Sequence, residues 1–139
     1  MNNKYTAITR NKLSSPMLVL RPHLTGRCLD YGCGRGFDAD FLGIESYDPN
    51  WRPIKPTGLF DTITCNYVLN VVTYEEQCDI ISDVQSMLVD GGKAFFTVRR
   101  DIKKDYSVKD YTQRVVTLPF NIFYQKPSHF IIYEVHKED

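Results

Sequence analysis

The stretch Arg27-Cys28-Leu29-Asp30-Tyr31-Gly32-Cys33-Gly34-Arg35-Gly36-Phe37-Asp38 constrains the fold more than any other part of the chain. Cys28 and Leu29 have apolar strand character, and Asp30 falls where that strand should end. Gly32, Gly34 and Gly36 follow at alternate positions. That spacing permits a sharp turn and lets a ligand approach the backbone closely. Exposed amides at the start of the next helix would favour an anionic or polar group. Strand, glycine turn and helix in this order fit nucleotide and dinucleotide pockets generally. An acid before the first glycine argues against a phosphate cradle and for a ligand with a positive centre or hydroxyls.

The remaining segments alternate in kind. Ser15-Pro16 is a helix start, with a capping hydroxyl and then proline at the first helical position, and Pro22 keeps that helix short. Asp38 to Leu42 reads as a short helix ended by Gly43, and Ile44 to Asp48 as a second short strand that ends on an acid. Pro49, Pro53, Pro56 and Gly58 break up the next segment. Phe60 to Val68 is rich in β-branched and aromatic residues and reads as a strand. Thr73 with Glu76 resembles a capping box. It opens a helix expected over Tyr74 to Val89, with Ile80, Ile81, Val84, Met87 and Leu88 as its buried stripe and Asp90-Gly91-Gly92 as its stop. Lys93 to Val98 is the next strand. The charged stretch Arg99 to Tyr111 is expected to hold one short helix. Arg114 to Leu118 and His129 to Val135 are expected as a closing antiparallel pair. The alternation predicts an α/β, Rossmann-like, mostly parallel sheet with a C-terminal antiparallel hairpin and a third strand reduced or missing.

Composition narrows the class. The 139 residues suffice for a single domain over 1–139, and 42% hydrophobic residues indicate a folded globular chain. Seventeen basic residues balance 17 acidic ones, so overall charge gives no sign of nucleic-acid binding. Cys28, Cys33, Cys65 and Cys78 form no CxxC pair, and read as reduced thiols in an intracellular, cytoplasmic protein. The N-terminus lacks an apolar signal core and no run is long enough to cross a membrane. Three histidines and scattered cysteines suggest no zinc site. Residues 1–15 are polar and extended-looking, a candidate lid over the substrate cleft.

In open α/β sheets a ligand sits beyond the carboxyl ends of the strands. The three strand ends here carry Asp30 with the glycine turn, Asp48, and Asn66-Tyr67. Asp48, about 18 positions after Asp30, is placed to accept hydrogen bonds from ribose hydroxyls. Asp30 lies beneath the turn, where it can fix a water or an ammonium group.

Three segments in order resemble one family. Cys-Leu-Asp-Tyr-Gly-Cys-Gly-Arg-Gly at 28–36 resembles the glycine motif of class I S-adenosylmethionine-dependent methyltransferases. Phe-Asp-Thr-Ile-Thr-Cys-Asn-Tyr-Val-Leu-Asn-Val-Val at 60–72 and Met-Leu-Val-Asp-Gly-Gly-Lys-Ala-Phe-Phe-Thr-Val at 87–98 are similar to its fourth-strand segment and its fifth-strand entry. A narrower resemblance joins Thr-Arg-Asn-Lys-Leu-Ser-Ser-Pro at 9–16, Tyr-Asp-Pro at 47–49 and Tyr-Val-Leu-Asn-Val-Val at 67–72. These look like the methyltransferases associated with bacterial DNA phosphorothioation, which implies a prokaryotic or phage setting.

The family resemblance implies S-adenosyl-L-methionine as cofactor. Asp30, Tyr31, Gly32, Cys33 and Gly34 would line its methionine end, Asp48 would hold the ribose, and Tyr47 and Pro49 would flank the adenine. Asn66 and Tyr67 would stand at the sulfonium and the methyl-transfer face. The family's third strand often ends in an acid that reads the adenine amine. Here 12 residues separate Asp48 from Asp61 and none is acidic, so Trp51 is a candidate for the adenine. Arg10, Arg35 and Arg99 are candidate substrate contacts. No Asp/Asn-Pro-Pro-aromatic pattern and no Pro-Cys occurs in the fourth-strand segment, which leaves the acceptor open among nucleic acid, nucleotide and small molecule. Methyl transfer by in-line displacement is the leading expectation. The alternatives are a non-catalytic S-adenosylmethionine-binding regulatory domain and a small nucleotide-dependent reductase. With no room for a target-recognition domain, duplex recognition would need a protein partner or a homodimer; the expected state is a monomer or a homodimer.

Overall fold

The period-two pattern along the apolar strands builds one sheet with two buried faces. The computed structural model describes residues 6–138. Its strands are β1 (Cys28–Tyr31), β2 (Glu45–Tyr47), β3 (Phe60–Asn66), β4 (Leu88–Arg99), β5 (Tyr106–Val108), β6 (Tyr111–Gln113), β7 (Asn121–Lys126) and β8 (Phe130–His136). Six of them form a sheet in the order β2-β1-β3-β4-β8-β7, and β5 and β6 pair separately. β2, β1, β3 and β4 are mutually parallel, whereas β4–β8 and β8–β7 are antiparallel.

Side chains alternate between the faces, as a strand's geometry requires. Ala94, Phe96 and Val98 of β4 and Ile131, Tyr133 and Val135 of β8 join one apolar cluster. Phe95, Phe130 and Ile132 join the other. The first is covered by Ile80 and Val84 of α3 (Tyr74–Ser86), the second by Met17 and Leu20 of α1 (Ser15–Leu20). The short α2 (Phe37–Leu42) links β1 to β2 and ends at Gly43 in the left-handed region. No strand lies beyond β2 among the described residues; only an isolated bridge joins Asp48 to Arg52 in that loop. The expected fold class and trimmed sheet edge are therefore present.

Several local expectations are corrected. Helix α1 starts at Ser15 with Ser14 in the capping position, yet Ser14 makes no side-chain cap bond. Its hydroxyl donates to Asp38 Oδ2 at 2.6 Å and its amide to Oδ1 at 3.0 Å. The Thr73–Glu76 capping box is present, but α3 stops at Ser86. The Met87 carbonyl accepts the Phe60 amide at 2.7 Å, which starts sheet pairing in place of another helical turn. Asp90-Gly91-Gly92 consequently lies inside β4. Pairing to β3 jumps from Phe60–Leu88 to Thr62–Lys93 there, a bulge with Gly91 at φ 78°.

The charged segment after β4 is a hairpin and not a helix. Tyr106, Val108, Tyr111 and Thr112 favour extended backbone, and the Ser107 and Thr112 hydroxyls bond across it at 2.8 Å. Residues 114–118 form no strand. The Arg114 amide donates to the Asn70 carbonyl and the Val115 amide to Asp105, while Val116 and Leu118 still bury their side chains. The hairpin partner of β8, opposite its pairing with β4, is β7 at Asn121–Lys126.

Candidate active site

The chain reverses direction of sheet growth at β1, and the cleft opens where it does. β2 is added on one side of β1, and β3 on the other. At the β1 carboxyl end Gly32 turns at φ 75°, and its amide and that of Cys33 donate to the Tyr47 carbonyl at 2.7 and 3.0 Å. A side chain at Gly32 would meet Val68. Gly36, at φ 90°, lies against the Arg52 guanidinium. Arg52 donates to the Arg35 carbonyl, to Ser46 and to both oxygens of Asp40, latching the turn to α2 and β2.

Asp48 completes the cradle from β2. Its Oδ2 accepts the Gly34 amide at 2.9 Å, and its Oδ1 accepts the amides of Asn50 and Trp51 at 2.9 and 3.1 Å. A carboxylate offers about four acceptor directions, so this acid fixes the turn and keeps one direction for a further donor.

Asp30 is in the opposite situation. It is 3% exposed, and among the described residues the one hydrogen bond to its side chain comes from Thr64, its register partner on β3, at 2.9 Å. Burial pushes its carboxyl up to about 7; the Thr64 bond opposes this, while Asp38 and Asp48 add to it and Arg10 offsets it. A buried, under-bonded acid is costly unless something positive or proton-donating meets it. Asn66, at the end of β3, shows the same lack. Its Oδ1 accepts from Thr97 at 2.6 Å, but its buried Nδ2 has no partner among the described residues.

The cleft is lined by Asp30, Gly32, Cys33, Gly34, Arg35, Asp48, Trp51, Asn66, Tyr67 and Arg10, among others. Of the expected residues, Tyr31, Tyr47 and Pro49 do not line it. The Tyr31 hydroxyl donates to Asp83 at 2.6 Å under α3, and Tyr47 stacks edge-on against Tyr31. Tyr47 contributes its carbonyl to the turn instead of its ring to the cleft. Arg35 lies over the Trp51 ring at 4.1 Å. Asp38 tethers Ser14 and so anchors the N-terminal segment. Thr6, Ala7, Ile8 and Arg10 of that segment line the cleft; residues 1–5 of the expected lid lie outside the described residues. Burial pushes the Cys33 thiol up to about 12, so it is not a nucleophile at neutral pH. Cys65 is fully buried in the sheet, and all four cysteines are free.

Tyr67 ends the cleft. It adopts φ 61°, its amide donates to the Thr97 carbonyl at 2.8 Å, and its ring meets Phe130 edge-on at 6.5 Å. Burial raises its hydroxyl's pKa. A left-handed tyrosine is held there by its surroundings at some cost, a pattern common at functional sites. A second cavity, of about 420 Å³, adjoins the cleft and shares Tyr67, Arg10 and Val71 with it. Arg99 lies there, paired through Nε and Nη2 with the two oxygens of Asp101 at 2.7 and 2.6 Å. The residues missed from the sequence are mostly in this cavity: Asn70, Gln113, Lys126 and His129.

A parallel sheet with a glycine turn, an acid beneath it and a second acid at the neighbouring strand end defines a nucleoside-cofactor fold of the Rossmann type. Residues 5–130 match the family model described as "Methyltransferase domain". The chain belongs to this family of S-adenosylmethionine-dependent methyltransferase domains. Among solved structures it is similar to the 1,6-didemethyltoxoflavin-N1-methyltransferase of Burkholderia thailandensis, with TM-score 0.67 at 16% identity over 90% of this chain and 78% of that one. The N-methyltransferase NodS of Bradyrhizobium japonicum WM9 gives 0.53 at 13% identity, over 89% and 84%. An S-adenosylmethionine-dependent methyltransferase of Mesorhizobium loti gives 0.56 at 11% identity, over 89% and 98%. These likenesses are of fold. No curated protein matches the sequence.

Proposed function

We propose that this chain transfers the methyl group of S-adenosylmethionine to an acceptor bound in the cavity beyond Tyr67. The observation that carries this is the pairing of two acids of opposite character at one glycine turn. Asp48 is already bonded and fixes the backbone; Asp30 is buried, nearly unbonded and faces the cleft. Asp30 with Gly32, Cys33 and Gly34 would hold the methionine end, and the remaining acceptor direction of Asp48 would take a ribose hydroxyl. Trp51, at the trimmed sheet edge, offers a ring for the adenine. The orphaned Asn66 Nδ2 offers a donor. Those features fit the group, which supplies an activated methyl on a sulfonium when bound.

The protein's part is position and electrostatics. Tyr67 lines both cavities, and its raised pKa keeps its hydroxyl protonated at neutral pH. It can therefore donate a hydrogen bond to an acceptor atom but cannot serve as an ionised base. Asn66 and Tyr67 orient the reacting groups for in-line displacement; Arg10, which lines both cavities, and Arg35 and Arg99 contact the acceptor or the segment covering it. Residues 6–15, tethered through Ser14 to Asp38, act as the cover. The second cavity favours catalysis over a purely cofactor-sensing domain, which would need no acceptor space.

Calorimetry with S-adenosylhomocysteine, and with NAD as control, tests the cofactor. The expected result is binding of the sulfur compound alone, and NAD binding without it contradicts the proposal. Radiolabelled methyl transfer onto small molecules, RNA and DNA then tests activity. DNA belongs in the panel because of the narrower resemblance to phosphorothioation-associated methyltransferases, which rests on sequence motifs. No helix among the described residues is long and apolar enough to cross a membrane.

A further inference from the structure

The second cavity carries a built polar floor. Asn70, on the 3-10 turn Leu69–Val71, is 1% exposed. Its Nδ2 donates to Gln113 Oε1 at 2.8 Å, and its buried Oδ1 has no partner among the described residues. Gln113 is itself 9% exposed, and both residues line the cavity. A bare buried acceptor in a cavity wall asks for a donor, because an unmet polar atom costs a substantial part of its lost hydration. The floor is held from both sides: the Arg114 amide donates to the Asn70 carbonyl at 2.7 Å, tying the turn after β3 to the end of β6.

The walls and rim add two further requirements. Tyr67 and Phe130 present aromatic surface, which suits a flat apolar face. The charged lining is Arg10, Arg99 and Lys126 against Asp101. Asp101 is spent on Arg99, while Arg10 and Lys126 have no ion-pair partner among the described residues. His129 Nδ1 is bonded to the Pro127 carbonyl at 2.9 Å. Arg10 also faces Asp30 of the neighbouring cleft, so Lys126 is the cation left to favour an anion on this side, with Arg10 shared between the two. The volume, about 420 Å³, falls within the roughly 300–1,000 Å³ of small-molecule sites.

We infer that the acceptor is a small planar organic anion with an N–H edge, an aromatic or heteroaromatic acid, and not a polymer. Its ring lies against Tyr67 and Phe130, its N–H meets Asn70 Oδ1, and its anionic group meets Arg10 and Lys126. This rests on the reading of the neighbouring cleft as the cofactor site, but its test does not depend on it.

The probes are 2-aminobenzoate, benzoate and 2-aminobenzamide, titrated by calorimetry into the full chain with and without S-adenosylhomocysteine. 2-Aminobenzoate is expected to bind several-fold more tightly than benzoate, which lacks the N–H, and than 2-aminobenzamide, which lacks the charge. Lys126→Glu, at an exposed edge-strand position, should weaken 2-aminobenzoate about tenfold and leave 2-aminobenzamide and S-adenosylhomocysteine unchanged. Asn70→Leu should erase the advantage of 2-aminobenzoate over benzoate. Equal binding of the neutral amide, no effect of Lys126→Glu, or binding of a single-stranded oligonucleotide with none of 2-aminobenzoate would each overturn the inference. Binding of 2-aminobenzoate with none of S-adenosylhomocysteine supports it, and contradicts the cofactor reading alone.

Discussion

The two cavities that meet at Tyr67 are made from different materials. The cofactor side is mostly backbone: amides of Gly32, Cys33, Gly34, Asn50 and Trp51 are fixed by the Tyr47 carbonyl and Asp48, all within about twenty residues of one another. The acceptor side is mostly side chain, drawn from four separated stretches: Arg10, Tyr67–Val71, Arg99–Gln113 and Lys126–Phe130. A backbone cradle specifies one ligand and tolerates little change. A side-chain cavity can be rebuilt one residue at a time for another acceptor without moving the cradle. That division implies that substitutions on the two sides should fail in different ways.

The largest effect is expected at Asp30. Asp30→Asn should reduce S-adenosylhomocysteine affinity by two orders of magnitude or more, since it removes the charge that answers a cationic end. The same change should stabilise the free protein at alkaline pH. The folded-state pKa, about 7, lies above the ordinary 3.8, so between those values the native state holds a proton that the unfolded chain has released. Stability from this group is complete below 3.8 and is lost as pH rises through about 7, up to ~4 kcal/mol in all. Denaturant midpoints at pH 5 and pH 8 check this: the drop seen in the wild type should shrink in Asp30→Asn. Gly32→Ala comes next. The left-handed φ and the Val68 contact should together cost roughly 2 kcal/mol or more in stability, with cofactor binding lost in parallel.

On the other side, Lys126→Glu should change acceptor affinity alone, about tenfold. A parallel loss of cofactor affinity would break the division. The smallest effect belongs to a residue outside both cavities: Thr73→Ala removes the capping box of α3 and should cost ~1 kcal/mol with both affinities intact.

The same contrast explains what could be read from the sequence. Strand, glycine turn, helix and second strand over 28–48 were legible because spacing and composition there are dictated by local backbone geometry. The Thr73–Glu76 cap was legible for the same reason. The end of α3 was not, because what stops it is the Phe60 amide, 27 residues earlier, taking the Met87 carbonyl. The charges around Lys103, Lys104 and Asp110 hid the extended preference of Tyr106, Val108 and Tyr111. Asp30, Asp48, Asn66 and Tyr67 were found as strand ends, which is a local property. Tyr31, Tyr47 and Pro49 were assigned to the cleft through the family resemblance, but strand alternation turns Tyr31 to the α3 side. Asn70 and Gln113, 43 positions apart, have no local signature and become a pair only when β6 folds back on the turn after β3.

The central claim is that Asp30 is a protonated acid in the free protein at mildly acidic pH and ionises to receive a cation. The most direct measurement is calorimetric proton release on S-adenosylhomocysteine binding, taken in two buffers of different ionisation enthalpy at pH 6. The account predicts that close to one proton leaves, that affinity falls about tenfold per pH unit below 7, and that proton release disappears in Asp30→Asn. Binding without proton release, and with an affinity flat from pH 5 to pH 8, would contradict it.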